Sequence, residues 1–314
     1  ILLALQERHR SGQGQMIDMA LYEAVFNCME SLVPEFSAFG VVREPAGSAL
    51  PGIAPSNAYR CTDGHVLIAG GDHGYGGAAI MAAQSAVHCG AGLVSLFTQP
   101  EHISAMLSRQ PEVMVSHQHI NDMITRATVL LAGPGLGLHS WGTALLAQAL
   151  ASDKPLLLDA DALNYLAALP ASAQQRLKRD NWLLTPHPGE AARLLGCSSA
   201  DIQHNRVAAV QQLQQRFGGT ILLKGHASLI AGPEQQLARL DCGNPGMASG
   251  GMGDVLSGII AALLAQGLTG FDAAALGGWL HSTAADQLAA TQGERGLLAT
   301  AILPRLQLLL NGKS

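Results

Sequence analysis

The sequence predicts a three-layer α/β fold, in which helices cover both faces of a mostly parallel central sheet. Short apolar segments alternate with segments of helical pattern along most of the chain, which is the order of elements in such folds. Hydrophobic residues make up 48% of the 314 residues and charged residues only 13%, as expected for strands that are buried on both faces.

The segments that we predict as strands are short, apolar and regularly spaced. They are 65–69, 93–97, 128–132, 155–158, 182–184 and 220–223. Helical patterns alternate with them at 77–89, 141–150, 162–169, 190–195 and 202–217, and three longer ones end the sequence at 254–267, 272–290 and 300–310. Strands that alternate with helices in this way form a parallel sheet, because each helix returns the chain to the same end.

The first 63 residues do not follow this alternation. A helical pattern covers 17–32, and prolines interrupt the sequence after it, at Pro34, Pro45, Pro51 and Pro55. The sequence starts at Ile1 inside another helical pattern, so we expect its N-terminus to be a cut rather than a natural beginning. We therefore predict two domains, a short helical and irregular segment over 1–63 and the α/β domain over 64–314.

Composition argues against several classes of protein. The formal net charge is −5 and no basic run occurs, so we expect no nucleic-acid partner. No apolar segment approaches the ~20 residues of a membrane span, so we expect no membrane partner. The five cysteines are scattered without the spacing of metal ligands, which predicts reduced thiols, no protein-held metal and a cytoplasmic location.

Glycine-rich or polar segments follow four of the predicted strands, at the end where ligands bind in an open α/β sheet. They are 133–137, 159–164, 185–190 and 224–228. Each has a structural alternative: a tight turn, a helix cap at Asp161, a structural histidine at His187, and a surface charge at Lys224. Because the four follow one another at the same edge, we interpret them together as the site of a nucleotide-using enzyme.

The segment 243–254 reads Gly-Asn-Pro-Gly-Met-Ala-Ser-Gly-Gly-Met-Gly-Asp and leads directly into an apolar helical pattern. Such a loop directs unpaired backbone N–H groups and the positive end of a helix dipole at one point, where a phosphate can bind. Asp254 falls on the first turn, where a carboxylate can take the proton of a group that attacks the phosphate. The alternative is a flexible loop followed by a helix-capping aspartate.

These segments together closely resemble the ADP-dependent NAD(P)H-hydrate dehydratases of the ribokinase-like superfamily, over about residues 64–314. The runs 185–190 (Thr-Pro-His-Pro-Gly-Glu) and 243–258 are the specific ones, whereas the Gly-x-Gly-Asp loop is shared with small-molecule kinases. The resemblance implies repair of the 6S epimer of NADHX or NADPHX, with ADP as phosphoryl donor and Mg²⁺ assisting. A ribokinase-like small-molecule kinase is the alternative function.

The resemblance also implies roles for individual residues. Asp254 is expected to be the catalytic base. On the substrate side we expect Ala78, Gly135, Gly137, Asp161, Asn164, His187 and Asp254, and on the nucleotide side Lys224, Gly225, His226, Ala227, Ser228, Asn244, Gly251 and Gly253. The segment 224–228 departs from the usual Lys-Gly-Ala-Gly-Thr, so His226 and Ala227 would narrow the space for the nucleotide. The family further implies a homo-oligomer, a tetramer, and a functional link to an NAD(P)H-hydrate epimerase.

The N-terminal residues resemble a different family. The segments 8–23 and 51–60 are similar to part of the family III CoA-transferases, and Asp18 falls where that family keeps its acyl-accepting aspartate. The CoA-binding half of such an enzyme is absent, so we expect no transferase activity and at most CoA-related binding. We interpret the chain as a chimaera in which a transferase fragment joins the dehydratase within 64–71.

Overall fold

The computed structural model describes residues 2–17, 32–40, 42 and 64–313. The chain divides into two compact units, residues 1–60 and residues 61–314. In the first unit, α1 spans Leu2–Ser11 and α2 spans Leu32–Phe39. Pro34 lies in the first turn of α2, where a missing N–H removes no intrahelical bond, so the prediction that Pro34 interrupts regular structure was wrong. Residues 18–31 of the helix predicted over 17–32, with Asp18 among them, and the remaining prolines, Pro45, Pro51 and Pro55, lie outside the described residues.

The second unit is built on a mixed sheet that has nine strands within residues 64–313. They are β1 (His65–Ala69), β2 (Leu93–Phe97), β3 (Met114–Ser116), β4 (Val129–Ala132), β5 (Leu156–Leu158), β6 (Trp182–Leu184), β7 (Thr220–Leu223), β8 (Leu229–Ala231) and β9 (Leu237–Arg239). Their spatial order is β3-β2-β1-β4-β5-β6-β7-β8-β9. The pairs from β3 to β7 are parallel, and β8 and β9 extend the sheet antiparallel. The predicted mostly parallel sheet is therefore confirmed.

Helices cover both faces of this sheet. They are α3 (Gly76–His88), α4 (Ile103–Arg109), α5 (Ile120–Arg126), α6 (Ser140–Leu150), α7 (Asp161–Ala168), α8 (Ala171–Leu177), α9 (Pro188–Leu195), α10 (Ser199–His204), α11 (Arg206–Phe217), α12 (Met252–Ala265), α13 (Gly270–Gln292) and α14 (Leu303–Leu310). Val66 and Ile68 of β1 pack in a core with α3, α12, α13 and α14, whereas Leu67 and Ala69 pack with α6, α7, α9 and α11. Successive side chains of a strand face opposite sides, and the central strands β4, β5 and β6, which helices cover on both faces, are apolar at every position. None of the described helices has both the length and the apolar character that a membrane span requires.

The structure adds elements that the sequence pattern did not reveal. The turn between β8 and β9 places Glu234 and Gln235 at φ values of 54° and 61°, a conformation that Asn-Gly usually marks. The helix predicted over 202–217 is interrupted at Asn205, whose side chain instead accepts a hydrogen bond from Ala208 N at 3.0 Å and starts α11. The predicted helix at 254 begins earlier, at Met252, which places the first turn of α12 on Met252, Gly253 and Asp254.

Candidate active site

A cavity of about 850 Å³ opens beside the carboxyl ends of β5, β6 and β7, the usual place for a ligand in a parallel α/β sheet. Part of its wall is polar or charged, namely Asp159, His187, Glu190, Lys224 and Asp254. Another part is apolar and consists of Leu222, Leu240, Met247, Met252 and Leu256. The cavity can therefore hold a ligand with both an anionic group and a flat apolar group.

An ion pair between the partly buried Lys224 and the buried Asp159 lies in the charged wall. Lys224 follows β7 and its Nζ donates to Asp159 Oδ1 at 2.7 Å, while Ser257 Oγ donates to Asp159 Oδ2 at 2.6 Å. Asp159 is 1% exposed and follows β5, so this contact connects the ends of two strands to α12. Because both carboxylate oxygens have partners, Asp159 fixes the position of the lysine.

The N-terminus of α12 faces this ion pair. Gly251 is the cap residue, at a φ of 91°, and Val255 N is the first donor to an intrahelical bond, to Gly251 O at 3.0 Å. The N–H groups of Met252, Gly253 and Asp254 precede it and have no intrahelical acceptor. A Cβ built on Gly253 would lie 3.3 Å from Lys224 Nζ, so the helix start and the lysine converge on one point. This arrangement suits an anion with two or more negative oxygens.

The carboxyl of Asp254 has an unusual proton affinity. Burial raises its pKa to about 7, the Asp159 carboxylate adds to the rise, and Lys224 opposes it. Burial alone would lower the pKa of Lys224, but Asp159, Glu190 and Asp254 outweigh it and hold that pKa above its ordinary value. Lys224 is therefore a permanent cation, whereas Asp254 can both take and release a proton near neutral pH.

His187 and Glu190 form a reciprocal cap at the start of α9. His187 Nδ1 accepts a hydrogen bond from Gly189 N at 3.0 Å, and Glu190 Oε2 accepts one from His187 N at 2.8 Å. His187 Nε2 lies 3.4 Å from Glu190 Oε1. Burial, together with Lys224 and Arg193, lowers the pKa of His187, so its ring is neutral with the hydrogen on Nε2. Burial raises the pKa of Glu190 to about 7, against the opposing effect of Lys224.

The segment 224–228 turns sharply after β7 and is held from the side by Arg206. The Arg206 guanidinium donates to the backbone oxygens of Ala227 at 3.1 Å and Leu223 at 3.3 Å, and also to that of His226. Ala227 has a φ of 53°, in the left-handed region that favours glycine, at the position where the family usually has glycine. Of this segment, Lys224, Gly225, His226 and Ser228 line the cavity.

The loop before α12 is tied to α13. Asp286 accepts hydrogen bonds from Gly243 N and from Asn244 Nδ2, both at 2.8 Å, and Asn244 Oδ1 accepts one from Gly246 N at 3.0 Å. Asn244 lines the cavity, with its side chain occupied in holding the loop. Gly251 lies outside the lining, and its φ of 91° strains any other residue; a Cβ there would lie 2.5 Å from Met81 Sδ, so Met81 would also have to move.

The other predicted substrate residues form a neighbouring cluster that does not line the cavity. Asp72 N donates to Gly135 O at 2.7 Å, and a Cβ on Gly135 would lie 3.3 Å from that of Ala78. Gly137 N donates to Asp161 Oδ2 at 2.9 Å, and Asn164 Oδ1 accepts from Arg193 Nε at 2.9 Å. Ala160, not Asp161, is the cap residue of α7. Ala78, Gly135, Gly137, Asp161 and Asn164 therefore stay predictions as substrate ligands.

Several residues of the site were missed from the sequence. Ser257 lies one turn after Gly253 on α12, so helical spacing could have found it. Glu190 was visible as the first acid of a helix, but only the structure reveals its burial, at 5% exposed. His281 of α13 lines the cavity with a buried Nε2 that has no hydrogen-bond partner among the described residues, and burial lowers its pKa to about 4. No sequence signal connects His281 to the strand ends.

The described residues contain no group of three or more His, Cys, Asp or Glu side chains arranged to ligate a metal ion. Magnesium often binds through one or two carboxylates and the phosphates of a nucleotide, and keeps several waters. The Asp159 and Asp254 carboxylates beside the anion-binding helix start fit that mode, in which the nucleotide supplies most of the ligands.

Comparison with known proteins agrees with this geometry. The family model described as NAD(P)H-hydrate dehydratase matches residues 66–308, and the model of CoA-transferase family III matches residues 1–86. A bifunctional NAD(P)H-hydrate repair enzyme from Coxiella burnetii is 47% identical over 260 residues, which cover 81% of this chain and 52% of that protein. This chain spans about half the length of such bifunctional relatives.

A single-function relative and a solved structure match over most of their own length. An ADP-dependent (S)-NAD(P)H-hydrate dehydratase from Neisseria meningitidis is 40% identical over 264 residues, which cover 81% of this chain and 88% of that protein. The crystal structure of an ADP/ATP-dependent NAD(P)H-hydrate dehydratase from Bacillus subtilis, co-crystallized with ATP/Mg²⁺ and soaked with CoA, superposes with a TM-score of 0.69 at 27% identity. The superposition covers 80% of this chain and 94% of the Bacillus subtilis chain. The family match over residues 66–308 and the identity to these relatives show that the chain belongs to the NAD(P)H-hydrate dehydratase family.

Proposed function

We propose that residues 64–314 use ADP to dehydrate the 6S epimer of NADHX or NADPHX back to NADH or NADPH, with release of AMP and phosphate. The observation that carries the proposal is the Asp254 carboxyl, with a pKa of about 7, on a helix start that also faces Lys224. This combination places a proton acceptor next to a site for a phosphoryl group. Relatives with this activity support the choice of substrate.

The chemistry of the hydrate explains why a phosphoryl donor is needed. Its hydroxyl is on a ring carbon next to the ring nitrogen, and hydroxide leaves slowly. When the hydroxyl attacks the β-phosphorus of ADP, Asp254 accepts its proton and AMP leaves. The nitrogen lone pair then expels phosphate, and loss of a proton from the neighbouring ring carbon restores the dihydropyridine.

The nucleotide is assigned to the anion-binding part of the cavity. Lys224 and the free N–H groups at the start of α12 would neutralise the phosphates and the charge that develops during transfer. The apolar wall, Leu222, Leu240, Met247 and Leu256, offers a surface for the adenine ring. The remaining residues assigned to nucleotide binding are Gly225, His226, Ala227, Ser228, Asn244, Gly251 and Gly253.

Mg²⁺ would be held by the ADP phosphates together with Asp159 and would offset the negative charge of the transferring group. The family resemblance assigns to NAD(P)HX the residues Ala78, Gly135, Gly137, Asp161, Asn164 and His187. His187 lines the cavity, and α7, which carries Asp161 and Asn164, begins directly after Asp159 and Ala160 of the cavity wall. His187 would donate its Nε2 hydrogen rather than accept a proton, since Nδ1 already accepts from Gly189. A homo-oligomer, and an epimerase that supplies the 6S epimer, complete the proposed context.

The proposal is tested by product analysis. With NADHX, Mg²⁺ and ADP, ³¹P NMR should show equal amounts of AMP and inorganic phosphate, and NADH should form in the same amount. A small-molecule kinase on this fold would instead accumulate a phosphorylated product without phosphate. Accumulation of a stable phosphate ester from NADHX, with no NADH, would contradict the dehydratase proposal.

A further inference from the structure

The proposed reaction, on which this inference rests, needs two proton acceptors at different moments. Asp254 takes the proton of the hydroxyl while phosphoryl transfer occurs. After phosphate leaves, the ring is an iminium ion, and a second base must remove a proton from the adjacent CH₂ group. That base has to lie in the same cavity wall, within reach of the same ring.

Most candidate bases in the described part of the wall are already occupied. Both oxygens of Asp159 accept hydrogen bonds, from Lys224 at 2.7 Å and from Ser257 at 2.6 Å. His187 Nδ1 accepts from Gly189 N, and His187 Nε2, which therefore carries the hydrogen, lies 3.4 Å from Glu190 Oε1. Neither ring nitrogen of His187 has a free lone pair. His281 also lines the cavity, but burial and Lys224 lower its pKa to about 4, which makes it a weak base near neutral pH.

Glu190 differs from these residues. It lines the cavity, is 5% exposed, and has one oxygen, Oε2, engaged with His187 N at 2.8 Å. Within residues 64–313, the one polar contact of its other oxygen, Oε1, is with His187 Nε2 at 3.4 Å. Glu190, Asp254 and Lys224 all line the same cavity, and both carboxyls act electrostatically on Lys224. Burial holds the pKa of Glu190 at about 7, which suits a group that accepts and releases a proton in each turnover.

We propose that Glu190 is the catalytic base that deprotonates the ring carbon next to the carbon that lost phosphate. Glu190 Oε1 accepts the proton, and the C–H electron pair becomes the new carbon–carbon double bond. The electrons of the C=N⁺ bond return to nitrogen, which yields the neutral dihydropyridine. His187 Nε2–H lies beside Oε1 and orients the carboxylate before the proton transfer. After the product leaves, Glu190 releases the proton to solvent.

The structural alternative is that Glu190 only caps α9, and the chain contains a matched control for it. Ser198 and Asp201 form the same reciprocal cap at the start of α10, with Ser198 N donating to Asp201 Oδ2 at 2.9 Å and Asp201 N donating to Ser198 Oγ at 3.2 Å. Asp201 is exposed and lies outside the cavity. Glu190→Gln and Asp201→Asn each keep an acceptor oxygen for the cap and remove one carboxylate.

The test compares AMP formed with NADH formed by the full chain, supplied with NADHX, ADP and Mg²⁺. The wild type and Asp201→Asn should give one NADH for each AMP. In Glu190→Gln, phosphoryl transfer and phosphate loss continue, but water recaptures the iminium ion as NADHX. We expect AMP formation within about fivefold of the wild type and at least ten AMP for each NADH. Glu190→Asp, which restores a carboxylate on a shorter side chain, should give an intermediate ratio, above one but below that of Glu190→Gln.

Equal losses of AMP and NADH in folded Glu190→Gln, with the ratio still one, would overturn the proposal and leave Glu190 a capping residue. An unchanged rate of NADH formation would overturn it as well. If Glu190→Gln does not fold, two measurements on Glu190→Asp test the proposal instead. They are the ratio of AMP to NADH and the kinetic isotope effect with NADHX deuterated at the CH₂ group. A ratio above one in Glu190→Asp, with an isotope effect on NADH but not on AMP, supports the base, and a ratio of one without that effect overturns it. Failure of the proposed function itself is distinct, because the wild type would then form no NADH.

Discussion

At the residue scale, the cavity is lined by more carboxyl groups than its partly buried lysine, Lys224, can neutralise. Asp159 forms an ion pair with Lys224. Asp254 and Glu190 also interact electrostatically with Lys224. Burial therefore raises both of their pKa values to about 7. Groups with a proton affinity near neutral pH are the ones that can transfer protons during turnover.

The first prediction concerns the pH dependence of the reaction. Asp254 must be deprotonated to accept the hydroxyl proton, so kcat/KM for NADHX should rise as the pH increases through about 7 and then level off. Initial rates measured between about pH 5.5 and pH 8.5 give the profile. A rate that falls as the pH rises through 7 would contradict the assignment of Asp254 as the base.

The second prediction concerns stability. The pKa of Asp254 is higher in the folded than in the unfolded protein, so the native state binds its proton more tightly. The folded protein therefore loses stability as the pH rises from about 4 to about 7. Asp254→Asn removes this loss and should raise the free energy of unfolding above pH 7, on the order of 2 kcal/mol once solvent screening is allowed for.

Thermal melts of the wild type and Asp254→Asn at about pH 5 and pH 8 test this. The variant should gain more in Tm at pH 8 than at pH 5, while losing its activity at both. An equal or smaller gain in Tm at pH 8 would contradict the raised pKa of Asp254 in the folded protein.

At the element scale, the start of α12 is the feature on which the site depends. Its free N–H groups, the lysine after β7 and the aspartate after β5 meet at Gly253. A helix start of this kind binds anions only where the backbone can approach closely, which is why a glycine occupies the position facing Lys224.

The third prediction follows from that approach. A Cβ on Gly253 would lie 3.3 Å from Lys224 Nζ and 3.7 Å from Asp159 Oδ2, in the path of the phosphates. Gly253→Ala should lower kcat/KM for ADP by roughly tenfold or more, while the free energy of unfolding changes by less than about 1 kcal/mol. Gly250→Ala is the control, since no atom lies within 4 Å of its Cβ. Equal kinetics for the two variants would show that the phosphates do not pass Gly253.

The same scale separates what the sequence could predict from what it could not. Strands such as β4 and β5 were found because they are apolar on both faces. Lys224 was found because it lies between a predicted strand and a glycine, and Asp254 because it follows a glycine-rich loop. The β8–β9 pair was missed because Glu234 and Gln235 adopt positive φ without the usual turn residues. Arg206, which holds the 224–228 segment, was missed because its partners lie on another element. Contacts between distant elements leave no local pattern.

At the scale of the whole molecule, the two family matches overlap in a region that belongs to the α/β unit. Both models include residues 66–86, and β1 and α3 within this range pack in the core formed with α12. Residues 1–60 form a separate unit. The sequence prediction of a junction within 64–71 is compatible with this division and stays a prediction.

The fourth prediction is that the catalytic function does not require the N-terminal unit. A chain that begins at residue 61 should keep the core, the cavity and all of the residues assigned above. Its ADP-dependent kcat with NADHX should lie within about threefold of that of the full chain. A folded truncated protein with less than a hundredth of that activity would assign residues 1–60 a part in the site.

The most direct test of the central claim is the absorbance at 340 nm after the protein is added to NADHX with Mg²⁺, in the presence of ADP, of ATP or of neither. The account predicts a rise that requires nucleotide, occurs with ADP and disappears in Asp254→Asn. No rise with either nucleotide from folded protein, or a rise of equal rate in Asp254→Asn, would contradict it.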